Sequence, residues 1–88
     1  MTIIHKHLLT NSATMLDLPL GAQILTIQMQ QDQPVLWEYH DQNEVRTQRR
    51  QFVAINTGQS FEFPGDMHRY IATTTSTTGV VWHVFEVQ

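Results

Sequence analysis

The sequence predicts an all-β protein: a small antiparallel sandwich or partly open barrel of six to seven strands, rich in meander connections. Three observations predict it. Only 15% of residues are charged, and eleven Thr and ten Gln supply neutral polarity instead. Thr is branched at Cβ and suits a pleated strand. Apolar residues recur with a period of two rather than 3.6. Turn signals built from Gly, Pro, Asn and Asp break the chain at short intervals. With 88 residues and 41% hydrophobic composition, the chain can bury one core and is expected to form a single domain over residues 1–88.

The elements follow in order. Ile3 to Leu8 reads as a strand and Thr14 to Leu18 as a short edge strand. A helical turn is the alternative near Asn11-Ser12-Ala13-Thr14, with Asn11 or Ser12 as its cap. Leu18-Pro19-Leu20-Gly21 marks a turn into Gln23–Gln30, where Leu25, Ile27 and Met29 share one face and Thr26, Gln28 and Gln30 the other. Gln31-Asp32-Gln33-Pro34 is a hairpin connection. In the next strand Val35, Trp37 and Tyr39 alternate with Leu36, Glu38 and His40. After the polar turn Asp41–Glu44, a strand runs from near Arg46 to Asn56, and the three are expected to form one antiparallel meander. A loop from Thr57 to Asp66 carries Phe61 and Phe63, and His68–Thr74 is a further strand. The last strand, Val80–Val87, is apolar on nearly both faces and therefore central.

Composition excludes several classes of function. The chain contains no Cys, which removes disulfide scaffolds, Cys-ligated zinc, iron–sulfur sites and thiol nucleophiles. No stretch approaches the ~18 apolar residues of a membrane span, and no signal-peptide pattern opens the chain. An intracellular protein with no membrane partner is expected. The net charge of −3 disfavours broad binding to duplex DNA, which needs many cations on phosphates.

Particular segments carry a resemblance. Leu18-Pro19-Leu20-Gly21-Ala22-Gln23-Ile24-Leu25, Gln28 and Pro34-Val35-Leu36-Trp37 come first. Asn56-Thr57-Gly58, Tyr70-Ile71-Ala72-Thr73 and Val81-Trp82-His83-Val84-Phe85-Glu86 follow. In this order and spacing, over most of the chain, they resemble a family of short uncharacterised tailed-bacteriophage proteins. Many relatives carry Gly-Thr-Gly where this chain has Asn56-Thr57-Gly58, and a longer insertion before the final strands. The resemblance implies a phage or prophage source, the host bacterial cytoplasm and a small β fold. It assigns no catalytic residue.

Four groups of residues are candidates for chemistry or contact. Arg46, Arg49 and Arg50 concentrate three of the five basic residues in one stretch. Guanidinium forks bind phosphate bidentately, and Trp37, Tyr39 or Tyr70 can stack on a base. Together these six residues would hold a small signalling nucleotide. The plainer account is that the arginines pair with Glu38, Asp41 and Glu44. Phe61 and Phe63 either cap the core or offer a partner-binding patch. His5 and His7 point the same way on a strand and would need His40, His68 or Asp66 to complete a metal site. A polar strand face is the more ordinary reading, so neither metal nor cofactor is expected. His83, on an apolar strand, is read as a satisfied core or interface histidine rather than a general base. No nucleophile elbow, P-loop or H-E-x-x-H pattern occurs.

The sequence therefore favours a non-enzymatic accessory protein that binds a host protein, as in counter-defence or host modulation, with self-association into a homo-oligomer also expected. Nucleotide sequestration and a minor role in the virion or its assembly are the alternatives.

Overall fold

The alternating pattern resolves into seven strands in a computed structural model that describes residues 1–10 and 12–88. They are β1 (Thr2–Leu8), β2 (Ala13–Pro19), β3 (Gln23–Gln30), β4 (Gln33–Asp41), β5 (Thr47–Asn56), β6 (His68–Thr75) and β7 (Val81–Val87). All pairings are antiparallel. One sheet has the order β1-β4-β3 and the other β2-β5-β7-β6, a sandwich-like arrangement without barrel closure. Among the described residues no helix is long and apolar enough to cross a membrane.

At its described residues the β1–β2 arch does not show the helical turn weighed as an alternative. Ser12 is a bend and Ala13 already opens β2; Asn11 lies outside the described residues. The Thr10 hydroxyl donates to the Ala13 carbonyl, and the Thr10 N–H donates to Thr14 Oγ1, each at 2.9 Å. These polar groups are spent on the arch, as short hydroxyl side chains commonly are beside turns. The Ala54 N–H donates to the Ser12 carbonyl at 2.7 Å and carries the β2–β5 ladder one step further.

The β3–β4 hairpin turns through Gln31 and Asp32, with φ of 53° and 59°. Two positive-φ residues between the paired Gln30 and Gln33 are the geometry of a type I′ turn, whose twist matches the strands it joins. The expected three-strand meander stops there. β1 occupies the flank of β4 that β5 would need, so residues 42–46 cross to the other sheet. β5 settles there between β2 and β7, burying Phe52, Val53, Ala54 and Ile55. The final strand is central, as its two apolar faces require.

A bulge corrects the face assignment in β3. The register steps from Ile24 opposite Glu38 to Thr26 opposite Trp37, leaving Leu25 unpaired and exposed. Ile24, rather than Leu25, packs on the core with Ile27 and Met29. A second bulge lies between Tyr70 and Ala72. The core itself joins the inner faces of both sheets: Leu36 and Ile27 from one meet Leu18, Phe52, Trp82 and Val84 from the other. The sheets also meet by polar contacts at their hairpin tips. Asp32 accepts from the Thr77 N–H and hydroxyl, and Met29 donates its N–H to Thr74 Oγ1.

Candidate functional site

The outer face of the four-stranded sheet carries one cluster of aromatic side chains, Phe61, Phe63, Tyr70 and Phe85. Strand alternation puts Val53 and Ile55 of β5, His83 and Phe85 of β7, and His68 and Tyr70 of β6 on that face. Tyr70 and Val53 both stand opposite Phe85 in the register. The connection from β5 to β6 must pass over this face because β7 lies between the two strands. It carries Phe61 and Phe63 with it.

Phe63 stacks on His68 with ring centroids 3.6 Å apart and planes 5° from parallel. It meets Phe61 and Phe85 edge-on at 4.9 and 5.0 Å, and Tyr70 meets Phe85 edge-on at 5.6 Å. These are favoured aromatic geometries. Phe63 is half-buried, whereas Phe61 remains 44% and Tyr70 55% exposed. Phe61 also borders a groove with Val53, Ile55 and Pro64. The two roles weighed for the loop aromatics are thus divided: Phe63 covers the sheet, and Phe61 faces outward. His83 sits at the margin, with Nε2 against Thr57 Oγ1 at 2.6 Å and Nδ1 against Thr73 Oγ1 at 3.1 Å.

The arginines stand apart from the aromatics named with them. Arg46 makes a bidentate pair with Glu44, at 2.8 and 3.1 Å. The pairing holds the Glu44 carboxyl below its ordinary range and raises Arg46. Arg49 pairs with Asp17, its register partner on β2, which raises the guanidinium above its usual value. Arg50 points inward. It donates to both Glu86 oxygens and to the Ala22 carbonyl, at 2.5 to 2.8 Å. Arg69 approaches Glu86 from the other side at 3.3 Å. Arg49 and Arg50 line one polar cleft with Gln48, Glu86, Val87 and Gln88. Trp37 and Tyr39 lie in the other sheet, and Tyr70 is two strands away from β5. Of the three carboxylates expected to hold the arginines, Glu44 alone does so among the described residues.

Glu38 belongs to a different cluster. It is completely buried on β4, directly opposite His5 on β1. The His40 ring donates from Nδ1 to Glu38 Oε1 at 2.7 Å, and His7 donates from Nε2 to Oε2 at 2.9 Å. Burial pushes the Glu38 carboxyl up, but the histidine hydrogen bonds and charges outweigh it and hold the group below its ordinary range. His5 contacts His40 edge-on at 4.9 Å. A nitrogen of His5, a nitrogen of His40 and an oxygen of Glu38 lie within 4.8 Å of one another, the spacing of potential metal ligands. His68, weighed as a partner for His5 and His7, is instead stacked beneath Phe63. Sequence reasoning missed Glu38 here. The available signal was its Glu-x-His spacing to His40, which mirrors His5-x-His7 on the paired strand.

No curated protein and no solved structure matches the chain. A family described as "Domain of unknown function (DUF7352)" matches residues 1–88. With its whole length matched, the chain belongs to the DUF7352 family.

Proposed function

We propose that this chain is a small accessory protein of tailed bacteriophages that acts by binding a host protein in the host bacterial cytoplasm. The observation that carries the binding role is the aromatic outer face, where Phe61 and Tyr70 stay exposed although Phe63, His68 and Phe85 pack beneath and beside them. Aromatic side chains with a rigid support are the residues most enriched at energetic centres of protein interfaces. Tyr adds a hydroxyl at the rim of an apolar contact, a combination that interfaces favour. The phage source rests on the sequence resemblance. Counter-defence is the role we assign to the binding, and self-association through the same face is its main competitor.

Affinity capture from a host lysate tests the reading when paired with light scattering of the purified chain. A monomer that captures one host protein reproducibly, and loses it on Phe61→Ser with Tyr70→Ala, supports it. A stable oligomer whose assembly buries Phe61 and Tyr70, with no protein captured, replaces the host partner with a second copy. Mass spectrometry of purified particles distinguishes the virion role.

A further inference from the structure

We propose that His5, Glu38 and His40 form a binding site for a divalent zinc-class metal ion, with His7 fixing the carboxylate from outside. Register builds the site. In an antiparallel pair, residues two apart on each strand share a face. β1 pairs with β4 so that His5 stands opposite Glu38, Ile3 opposite His40 and His7 opposite Leu36. The His-x-His and Glu-x-His pairs therefore face each other on one side of the ladder. Their three closest donor atoms lie within 4.8 Å. Around a tetrahedral zinc ion with bonds near 2.0 Å, donors sit about 3.3 Å apart. The required closure falls on β1, an edge strand exposed along nearly its whole length.

The charge of Glu38 is the second observation. A fully buried carboxylate needs a compensating cation. The five Lys and Arg side chains are engaged elsewhere: Lys6 on Gln30, Arg46 on Glu44, Arg49 on Asp17, and Arg50 and Arg69 on Glu86. Among the described residues, only histidines face Glu38 within hydrogen-bonding distance. A metal ion held between His40 and Glu38 would replace their hydrogen bond, and the neutral imidazole would carry its one proton on the nitrogen that does not ligate. His7, bonded to the second carboxylate oxygen, supplies the outer hydrogen bond that orients a ligating group. Two imidazoles and one carboxylate suit zinc rather than magnesium or calcium, which prefer all-oxygen shells. His5 is exposed, so the site is open to solvent on its side.

The test uses the full chain without a polyhistidine tag. Titration with zinc against a chromophoric chelator should give one ion per chain, and Co²⁺ should develop the visible absorption of a tetrahedral site. His5→Ala should weaken zinc binding at least tenfold, because it removes an exposed ligand without disturbing the core, whereas His83→Ala should leave it unchanged. Zinc should raise the wild-type Tm, and magnesium should not. Zinc affinity equal in wild type and His5→Ala would overturn the proposal. So would the absence of a tetrahedral Co²⁺ spectrum from the wild type, a result that depends on no variant.

Discussion

Arg50 and Glu86 are the pair on which single substitutions should act most strongly. Both are largely buried between the sheets; removing Glu86 leaves Arg50 without a carboxylate partner, and removing Arg50 leaves Glu86 only the longer contact to Arg69. Truncating one partner of a buried ion pair typically costs about 3–5 kcal/mol. Glu86→Ala should therefore lower unfolding stability in urea by about 3 kcal/mol, softened where Arg50 keeps its bond to Ala22. Arg49→Ala removes an exposed, solvent-screened pair and should barely move the urea midpoint. Strand parity in the sequence separates Arg49 from Arg46 and Arg50, but it does not show which parity is buried. Arg50 and Arg49 are adjacent in the chain, and strand alternation sends one inward and the other outward.

Asp32 gives a pH-dependent prediction at the same scale. The Thr77 N–H and hydroxyl hold its carboxyl below the ordinary value of 3.8. A depressed folded-state value means that the contribution is full above the unfolded value and is lost as pH falls through the folded one. Acid titration of stability should thus be shallower for Asp32→Asn than for wild type below pH ~4, and parallel to it above.

Among the elements, the hairpin turn of β3 and β4 is the clearest lever. Gln31 adopts φ of 53° without the conformational freedom of Gly or the αL tolerance of Asn. Gln31→Gly should stabilise the protein by about 0.5–1 kcal/mol, read as a higher urea midpoint with unchanged slope. Asp32 should not be exchanged in the same experiment, because its side chain joins the two hairpin tips. The loop over the outer sheet offers a second test. Phe63→Ala removes the ring that stacks on His68 and packs on Phe85. Amides of residues 57–67 should then exchange faster, while those of β7 should stay protected.

Strand positions were legible because alternation reports them directly: β3 over Gln23–Gln30 coincides with its expected span. Facing was not legible where a bulge resets the alternation, as at Leu25. Sheet membership was not legible either. Short turns after β3 and β4 look alike in sequence, but one closes a hairpin and the other crosses between sheets. The choice depends on β1 taking the flank of β4, a pairing between residues 27 to 39 apart in the chain.

On the scale of the whole molecule, the body is flat, with extents of 41 × 31 × 16 Å. Two sheets about 10 Å apart account for the thin dimension. The radius of gyration of 13.3 Å exceeds the ~12 Å of a globule of this length. Exposed β1 fits that excess, as it pairs with β4 while contributing almost nothing to the core. A small core leaves large sheet faces outside, where Thr and Gln such as Gln28, Gln48 and Thr73 share the exposed positions with apolar residues such as Ile4, Met15 and Leu25. Phe61 and Phe63 could be named from sequence, but their grouping with His68, Tyr70 and Phe85 depends on how the loop folds back.

The most direct measurement is quantitative capture of host protein by the wild-type chain and by a Phe61→Ser, Tyr70→Ala variant of matched Tm. The binding account predicts one host protein retained in near-stoichiometric amount by the wild type, with at least tenfold less on the variant. Equal capture by both proteins, or no specific capture by a wild-type monomer, would contradict it.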